Sequence, residues 1–387
     1  MSNAILVLNA GSSTVKFALY EAETLQPLCR GEIDRVGADS RLHVFGPQAR
    51  SFEAVPPPPV GGDHEDAAAW LLDTIRHEPQ FALKAAGHRV VHGGQSFGTP
   101  VLVDDVVAAE LAELIPLAPA HQPHNLAAIR AVGRAWPGLP QVACFDTAFH
   151  RTQPRLAQLF PIPHELTAEG MLRYGFHGLS YQHVAEVLPG LAGERAKGRV
   201  IVAHLGQGAS LCAMKDGRSV ATTMGFTALD GLMMGTRSGA VDPGLVLHLI
   251  RERGMEPAAV AEVLNKKSGL LGVSGVSSDV RDLLATSDPR AAEALDLFAY
   301  RAVREIGSLM AALGGLDVLV FTAGIGEHAP AVRAGICAGL SWAGVVLDPT
   351  LNEAGQGRIS AGSAPVETWV VPANEELPIA RATRALI

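Results

Sequence analysis

The sequence is poor in cysteine, and its few cysteines are not paired. Cys29, Cys144, Cys212 and Cys337 are the complete set among 387 residues, and no Cys-x-x-Cys pair occurs. This spacing argues against a disulfide-stabilised scaffold and against a zinc site built from thiolates. We therefore expect four reduced thiols, most of them buried.

Basic charge and long apolar runs are also scarce. The chain has 31 Lys and Arg residues against 39 Asp and Glu residues, which gives a net charge of -8. Without a long Lys/Arg run, this balance argues against a nucleic-acid or membrane-surface partner, so any phosphate recognition must be local. No apolar run reaches membrane-spanning length and no signal-peptide pattern opens the chain, so the expected location is the cytoplasm.

Residues 5–20 (ILVLNAGSSTVKFALY) form the first chemically informative segment. Two apolar runs of strand length flank a turn rich in Asn, Gly, Ser and Thr, which predicts a β-hairpin. Backbone N–H groups and hydroxyls in such a turn can converge on an anion, and Lys16 adds a charge suited to a phosphate oxygen. The alternative is an ordinary hairpin with a solvated lysine.

Residues 199–217 (RVIVAHLGQGASLCAMKDG) repeat this arrangement. Aligning Gly206 with Gly11 superposes both strands and both turns without a gap. A duplication at about half the chain length predicts two similar domains, each offering a hairpin turn to what lies between them. The phosphates of a nucleotide fit that description.

Caps and apolar periodicity predict further elements. Asp288 caps a long helix that Gly314 ends, and its apolar residues recur three or four apart, as on one buried face. A buried strand is expected to lead directly into a turn of small residues at 323–326. Strands and helices in this order predict an α/β protein with two duplicated lobes.

Two segments are expected to be loops. Residues 54–62 (AVPPPPVGG) are rich in proline, which neither donates to a sheet nor continues a helix, and Asp63 is the expected N-cap of the next helix. Residues 117–125 (LAPAHQPHN) follow the proline that stops the preceding helix. Their two histidines lack the helical spacing of a zinc protease, so a structural or substrate-lining role is expected.

Eight short motifs, in one order along the chain, carry a resemblance to a known family. The motifs are NAGSSTVK (9–16), HRVVHGG (88–94), FDTAFH (145–150), RYGFHGLS (173–180), HLGQG (204–208), MMGTRSG (233–239), TAGIGE (322–327) and NEEL (374–377). Together they resemble the acetate kinase family from end to end. The resemblance implies the actin, sugar kinase and heat-shock ATPase superfold, with two duplicated ribonuclease-H-like lobes and an interdomain cleft. The implied domains are residues 1–146, completed by a C-terminal helix at about 376–387, and residues 147–375, with the nucleotide site and the dimer interface.

The resemblance also implies an activity. Members of this family transfer phosphate reversibly from ATP to a short-chain carboxylate, giving ADP and an acyl phosphate, and they pair as homodimers. Asn9 and Glu375 match the contacts to Mg²⁺, for which Mn²⁺ is the alternative, and a few hard oxygen ligands suit a cation that keeps several waters. Read without the family, Asn9 is a turn-former and Glu375 a carboxylate at a helix start.

Four residues match catalytic positions of the family. Arg89 is implied to bind the acid, and Arg237 is implied to stabilise the transition state with His177, since a guanidinium matches a carboxylate or a transferring phosphoryl group. Asp146 matches the catalytic aspartate. A carboxylic acid is already ionised at neutral pH, so its attack on the γ-phosphate needs no general base. We therefore interpret Asp146 as orienting an arginine and shaping the local field.

Two groups of residues are implied to bind the nucleotide. One group cradles the phosphates, and its histidine adds a donor to the phosphoryl oxygens. This group comprises Thr14, Lys16, His204, Gly206, Gln207, Gly208 and Ala209. The other group holds the adenosine and comprises Asp279, Val280, Arg281, Gly324, Ile325, Gly326, Glu327 and His328.

Four positions depart from the residues usual in the family. Gln207 and His328 stand where asparagine is usual, Ala240 where aspartate is usual, and Tyr181 where histidine is usual. The longer side chains of Gln207 and His328 leave nucleotide preference open. They also leave open a second function from another class, that of a nucleotide-binding regulator without turnover. Pyrophosphate is the alternative donor, although the retained adenosine turn favours ATP.

The acid pocket is implied to be lined by Val91, Ala120, Phe176 and Ala228. Leucine and proline are usual at the second and fourth of these positions, and both residues are smaller here. Leucine to alanine removes roughly three carbons of wall, and one methylene in such a pocket discriminates by about 1–3 kcal/mol. We expect propionate or a longer acid such as butyrate to be accepted at least as well as acetate. The alternative is that neighbouring side chains fill the gap.

Overall fold

Two β-sheets organise the fold. The computed structural model describes residues 2–11, 14–34, 40–52 and 64–387. The predicted loop at 54–62, the predicted cap at Asp63 and the turn residues Ser12 and Ser13 lie outside the described residues.

The chain divides into two compact units. The first is Met1–Phe149 with Asn374–Ile387, and the second is His150–Ala373.

The first unit contains seven strands and three helices within its described part, before the C-terminal helix. The strands are β1 (Ser2–Ala10), β2 (Val15–Glu21), β3 (Pro27–Asp34), β4 (Arg41–Phe45), β5 (Phe81–Val90), β6 (Val101–Leu102) and β7 (Gln141–Phe145). The helices are α1 (His64–His77), α2 (Asp105–Glu113) and α3 (Gln122–Ala135).

The second unit follows in the chain, and the last helix then returns to the first unit. The strands of the second unit are β8 (Arg199–Leu205), β9 (Ala209–Lys215), β10 (Arg218–Thr222), β11 (Val318–Thr322), β12 (Gly357–Arg358) and β13 (Glu367–Val370). The helices from here to the C-terminus are α4 (Arg155–Gln158), α5 (His164–Ala168), α6 (Gly178–Ala192), α7 (Pro243–Arg251), α8 (Pro257–Lys266), α9 (Gly269–Ser274), α10 (Val280–Ala285), α11 (Pro289–Leu313), α12 (Ala323–His328), α13 (Pro330–Ala338), α14 (Pro349–Ala354) and α15 (Glu376–Leu386).

The first sheet has the strand order β4-β3-β2-β1-β5-β7-β6. Strands β1 and β2 pair antiparallel with Leu8 opposite Phe17, so the hairpin predicted at the N-terminus is confirmed. Strands β1, β5 and β7 are parallel to one another. One face is buried under α1, where Leu6 and Leu19 share a core with Leu71. Alternate strand residues therefore supply the apolar surface that this helix covers.

The second sheet repeats the central part of the first. Its order is β10-β9-β8-β11-β13-β12. Strands β8 and β9 form the second predicted hairpin, and β8, β11 and β13 are parallel. Strand β8 thus occupies the position in its sheet that β1 occupies in the first. The predicted duplication is confirmed at the level of strand order and direction.

Helix α11 agrees with its sequence signals. The Asp288 side chain accepts a hydrogen bond from the Arg290 N–H at 2.9 Å, and Gly314 ends the helix in the left-handed conformation with φ 75°. Six residues of its apolar face are fully buried. Leu295 and Leu313, which continue the same three- or four-residue spacing, are only half-buried. The periodicity therefore identified the face, while the two residues lie at its edges.

Two segments differ from their prediction. Helix α3 begins at Gln122, inside the expected loop 117–125, because Pro123 occupies the first turn, where no backbone N–H is needed. The expected turn at 323–326 is the start of the short helix α12. Ala323 takes the strained φ of 67° that lets strand β11 pass directly into this helix.

Helix α15 packs on strands β1 and β5 of the first sheet. A Cβ atom placed on Gly87 of β5 would lie 2.3 Å from the Thr383 hydroxyl and 2.6 Å from Ile379 Cγ2. Only a residue without a side chain permits this approach. The packing holds Glu375, the N-cap residue of α15, in the unit that contains β1 and β5.

All four cysteines are free and buried, as expected. Among the described residues, no helix combines the length and the apolar character needed to cross a bilayer.

Candidate active site

In the first unit, Arg89 is the centre of a hydrogen-bonded cluster. It lies near the end of β5, and its Nη2 donates to Asp146 Oδ2 at 2.5 Å while Nε donates to Oδ1 at 3.0 Å. Its Nη1 donates to Asn9 Oδ1 at 3.0 Å, and Glu375 Oε2 lies 3.7 Å from Nε. Three predicted residues, from β1, the end of β7 and the start of α15, therefore meet at the guanidinium of Arg89 on β5.

Burial and charge act against each other in this cluster. Burial raises the pKa of the Asp146 carboxyl, and the guanidinium of Arg89 opposes that shift. Burial also disfavours the charged form of Arg89, but Asp146 and Glu375 outweigh it and raise its pKa above the ordinary arginine value. Arg89 is thus a fixed cation whose position is set by Asp146 on one side and by Asn9 on the other.

The predicted metal residues are neighbours. The Asn9 Nδ2 atom lies 3.5 Å from Glu375 Oε2. Among the described residues, no group of three or more His, Cys, Asp or Glu side chains is arranged to hold a metal ion. An amide and a carboxylate alone suit Mg²⁺, which takes few protein oxygens and keeps water and phosphate ligands. The donor set of this pair therefore fits the predicted metal.

In the second unit, two predicted residues, His177 and Arg237, converge on the turn between β8 and β9. A Cβ atom on Gly208 would lie 3.1 Å from His177 Nε2 and 3.7 Å from Arg237 Nη1. The same Arg237 nitrogen donates to the Ala228 carbonyl oxygen at 2.9 Å. Gly206 closes the turn by donating to the Gly208 carbonyl oxygen at 3.0 Å. An arginine and an imidazole therefore lie beside a glycine turn, an arrangement suited to an anion.

The two predicted histidines are stacked. The His177 and His204 rings have centroids 4.4 Å apart and planes at 17°. The His177 Nδ1 atom lies 2.7 Å from Ser210 Oγ, and His204 Nδ1 lies 2.8 Å from Ser180 Oγ. Each ring is therefore oriented through Nδ1 by a serine hydroxyl.

The turn residue Gln207 reaches toward Ser278, which precedes the first residues predicted to hold the adenosine. Its side chain lies against Gly235 and fills the space that a Cβ atom there would need. That Cβ position is also 3.2 Å from the Ser278 carbonyl oxygen. Next in the chain, Asp279 caps α10 by accepting from the Arg281 N–H at 2.8 Å, and its carboxylate also pairs with the Arg281 guanidinium. These contacts place Val280 in the first turn of α10, where it is buried.

The remaining residues predicted to hold the adenosine lie on α12. Gly324 and His328 are exposed, Gly326 is buried, and Ile325 and Glu327 are half-buried. The Glu327 carboxylate accepts from the Ala373 N–H at 2.9 Å, which links α12 to the segment that leads toward α15.

A buried arginine that the sequence reasoning missed supports α12. Arg333 of α13 has no exposed surface, and its Nη1 donates to the carbonyl oxygens of Gly326 and Glu327 at 2.9 and 2.8 Å. The same side chain bonds to Asn352 of α14. It satisfies carbonyl groups at the end of α12. A lone arginine in a helical pattern gives no sequence signal for this role.

The predicted acid-pocket residues belong to both units. Val91, from the first unit, and Phe176, from the second, are buried, whereas Ala228 is half-buried and Ala120 is exposed. The Val91 N–H donates to the Asn125 side chain at 3.0 Å, and Asn125 in turn donates to the Ala10 carbonyl oxygen at 2.9 Å. Asn125 therefore fixes the end of β5 beside the end of β1. Sequence reasoning missed this role, because a lone asparagine at the end of an expected loop gives no signal for contacts across the fold.

The first hairpin turn is only partly described. The Gly11 N–H donates to the Thr14 carbonyl oxygen at 2.8 Å. Lys16 is exposed on β2. Thr14 and Lys16 therefore lie at and beside the turn, and their phosphate-binding role stays a prediction.

Comparison with known proteins agrees with this architecture. An acetate kinase of Rhodopseudomonas palustris is 53% identical over 391 residues and covers 98% of each chain, and one of Rhizobium meliloti is 46% identical over 392 residues and covers 100% of this chain and 98% of its own. The crystal structure of Porphyromonas gingivalis acetate kinase matches with a TM-score of 0.89 at 38% identity, covering 100% of both chains. A propionate kinase from Francisella tularensis matches with a TM-score of 0.92 at 37% identity, also covering 100% of both chains. The sequence model of the Acetokinase family matches residues 4–381. With its two duplicated sheets and this full-length match, the chain belongs to the acetokinase family.

Proposed function

We propose that the protein transfers the γ-phosphoryl group of ATP reversibly to a short-chain carboxylate, giving ADP and an acyl phosphate. The observation that carries this proposal is the convergence of His177 and Arg237 on the Gly208 turn, in a chain of the acetokinase family. In the forward reaction a carboxylate oxygen bonds to the γ-phosphorus, and the bond from that phosphorus to the bridging oxygen of ADP breaks.

Arg89 binds the carboxylate in this proposal. Asp146 and Asn9 hold three of its nitrogens, which fixes the guanidinium in one orientation. The acid enters ionised, so no proton has to be removed from it. This geometry supports the interpretation of Asp146 as a positioning residue rather than a base.

Arg237, His177 and His204 hold the phosphoryl group that is being transferred. The glycine turn carries backbone N–H groups, and the guanidinium adds a fixed positive charge beside it. Mg²⁺, or Mn²⁺ in its place, is held by Asn9 and Glu375 and neutralises charge on the phosphates when it is bound. Thr14 and Lys16 contribute to the phosphate contacts, and residues of α10 and α12 hold the adenosine.

The preferred acid is proposed to extend beyond acetate. Ala120 and Ala228 are smaller than the residues usual in the family, and a solved structural relative is a propionate kinase. We propose that propionate is used at least as well as acetate, with butyrate as the next candidate.

The proposed assembly is a homodimer formed by the second unit. Helices α9 and α10 both pack on α11, so the three helices are neighbours. Apolar side chains are exposed on each of them. The exposed residues are Val273, Leu284, Leu297 and Tyr300. The Leu297→Asp variant should shift the dimer to monomer in sedimentation velocity, whereas Leu156→Asp, at an exposed leucine of α4, should not. A wild-type monomer at micromolar concentration would contradict the proposal.

The four free, buried thiols are typical of a reducing compartment, and we propose a cytoplasmic location.

Trapping of the product tests the proposed reaction. Incubation with Mg²⁺, ATP, hydroxylamine and acetate, propionate or butyrate should give the acyl hydroxamate, because hydroxylamine captures acyl phosphate. The Arg237→Ala variant is the negative control. ATP binding without any hydroxamate would instead identify a nucleotide-binding regulator, and product formed only with pyrophosphate would identify a different donor.

A further inference from the structure

A chain of hydrogen bonds runs from a buried tyrosine to the proposed phosphoryl-binding histidine. The Tyr181 hydroxyl, in the first turns of α6, lies 2.5 Å from Ser210 Oγ on β9. The same Ser210 oxygen lies 2.7 Å from His177 Nδ1. Both Tyr181 and Ser210 are fully buried. A single serine hydroxyl therefore joins the phenol to the imidazole.

The acidities of the three groups give the chain its direction. A serine hydroxyl has one proton, so it donates to one neighbour and accepts from the other. The phenol is the better donor of the two hydroxyls, and an imidazole nitrogen is the best acceptor of the three groups. Burial raises the pKa of Tyr181 well above its ordinary value, and Cys212 adds to the shift, so the phenol stays protonated. The order is then Tyr181 to Ser210 to His177 Nδ1.

This order determines which nitrogen of the His177 ring carries the proton. When Nδ1 accepts a hydrogen bond, the proton of the neutral imidazole is on Nε2. The Nε2 atom is the one that lies beside the Gly208 turn, next to Arg237. A donor is thereby presented where the proposed reaction places the phosphoryl oxygens.

We propose that Ser210 and Tyr181 are positioning residues that hold His177 in the Nε2–H tautomer, as a hydrogen-bond donor to the transferring phosphoryl group. This inference rests on the proposed function for its catalytic consequence. Its structural part, the tautomer, rests on the two hydrogen bonds and on the relative acidities of the three groups.

The tyrosine favours one direction of this chain. Histidine, which is usual at residue 181 in the family, can donate or accept through the same nitrogen, depending on its own tautomer. A protonated phenol favours donation to Ser210. The neighbouring Ser180 holds Nδ1 of the stacked His204 ring in a similar contact.

Steady-state kinetics of four variants measure the catalytic consequence. Ser210→Ala should lower kcat about 10- to 100-fold, the usual effect of losing a partner that orients an active histidine, while KM for ATP and the acid stays within about twofold. Tyr181→Phe should lower kcat by a smaller factor in the same direction, and Tyr181→His should recover part of that loss. Ser219→Ala is the matched control, because Ser219 bonds Nδ1 of a different buried histidine, His150, at 2.9 Å.

Nitrogen-15 spectra of histidine-labelled protein measure the tautomer directly. Protonated and unprotonated ring nitrogens have well-separated shifts, and the His177→Gln variant assigns the signal of this residue. The wild type should show a neutral Nε2–H ring at His177, and Ser210→Ala should mix the two tautomers. Tyr174→Phe, which removes another buried phenol, should leave the signal unchanged.

An Nδ1–H tautomer in the wild type overturns the inference, and so does a Ser210→Ala protein with unchanged tautomer and kcat. The wild-type spectrum requires no variant of Ser210 or Tyr181 to fold. If the wild type forms no acyl hydroxamate, the proposed function fails, while the spectrum still decides the positioning role.

Discussion

Arg89 depends on Asp146 for its orientation. Asparagine at residue 146 has one acceptor oxygen and places an amide N–H₂ against the guanidinium, so at least one of the contacts from Arg89 is lost. We expect Asp146→Asn to lower kcat/KM for the acid by about 100-fold, comparable with the loss of one strong donor in an active site. Initial rates over a range of acid concentrations measure this change.

A second carboxylate–arginine pair serves as the control for that experiment. Asp317 and Arg199 make an Oδ1–Nη2 contact of 2.5 Å where the central strands β8 and β11 of the second sheet begin. Asp317→Asn removes the same type of contact and should leave kcat/KM unchanged. Near-wild-type turnover of Asp146→Asn would remove Asp146 from the mechanism.

The acid pocket makes a prediction about specificity. Ala120→Leu and Ala228→Pro restore the larger residues usual in the family, so the double variant should reduce the propionate-to-acetate ratio of kcat/KM by about 10-fold or more. Competition between the two acids, analysed as hydroxamates, measures the ratio. A wild type whose rate falls steeply from acetate to propionate would contradict the prediction, and would indicate that neighbouring side chains fill the space.

The role of a single residue could be predicted only where the residue belongs to a sequence motif. Arg89, Asp146, Asn9 and Glu375 lie far apart in the sequence, and the motifs named them as one set, which the structure brings together. Ser210 and Arg333 could not be predicted in the same way. A serine on a strand or an arginine on a helix has no periodic or spacing signal, and its role follows only from what lies across the fold.

At the scale of elements, the close contact between α15 and β5 governs the position of Glu375. We expect Gly87→Ala to reduce the free energy of unfolding by about 1–3 kcal/mol, because the added methyl overlaps Thr383 and Ile379. Displacement of α15 should also raise the Mg²⁺ concentration needed for half-maximal activity. Urea unfolding and a metal titration measure the two effects.

Helix α3 offers the control for this substitution. A Cβ on Gly133 would meet only Gln141 Nε2, at 3.5 Å, which is an ordinary contact. Gly133→Ala should therefore be neutral or stabilising, since alanine is the better helix former. Equal destabilisation by both substitutions would contradict the prediction, because the loss could not then be attributed to the contact between β5 and α15.

Elements were predictable where the local signals agree. Helix α11 has a cap, a proline in the first turn, a regular apolar face and a terminal glycine, and all four point to one helix. At α3 and α12 the signals conflict. Proline suggested a loop at α3, yet Pro123 lies in the first turn, where a helix tolerates it. Small residues suggested a turn at α12, yet packing at the end of β11 overrides that local preference.

At the scale of the whole molecule, buried histidines make the free energy of unfolding depend on pH. Burial lowers the pKa of His88, His92 and His150 to about 4. In the unfolded chain these rings take up protons near pH 6.5, so their contribution to stability is fully present above that pH. It is lost as the pH falls toward 4, at about 1.4 kcal/mol per pH unit for each ring.

Urea unfolding between pH 7.5 and pH 5 measures this loss. If the two units unfold in separate transitions, that of the first unit should depend more steeply on pH, since it contains His88 and His92, whereas the second contains His150. A stability that does not change between pH 6.5 and pH 5 would contradict the prediction.

The duplication was the most predictable property of the whole molecule. Two matching hairpin sequences sufficed to predict two related sheets, because each hairpin includes the strand around which its sheet is ordered. The order of the outer strands could not be predicted, since short strands such as β6 and β12 have too few residues for a pattern.

The buried cysteines have a practical consequence for spectroscopy. Burial raises the pKa of Cys29, Cys144, Cys212 and Cys337 to about 12, so almost no thiolate is available to an alkylating dye at neutral pH. A maleimide fluorophore should therefore label a single cysteine introduced on the surface, with the native thiols left in place. Distance measurements during turnover then become feasible without first building a cysteine-free background.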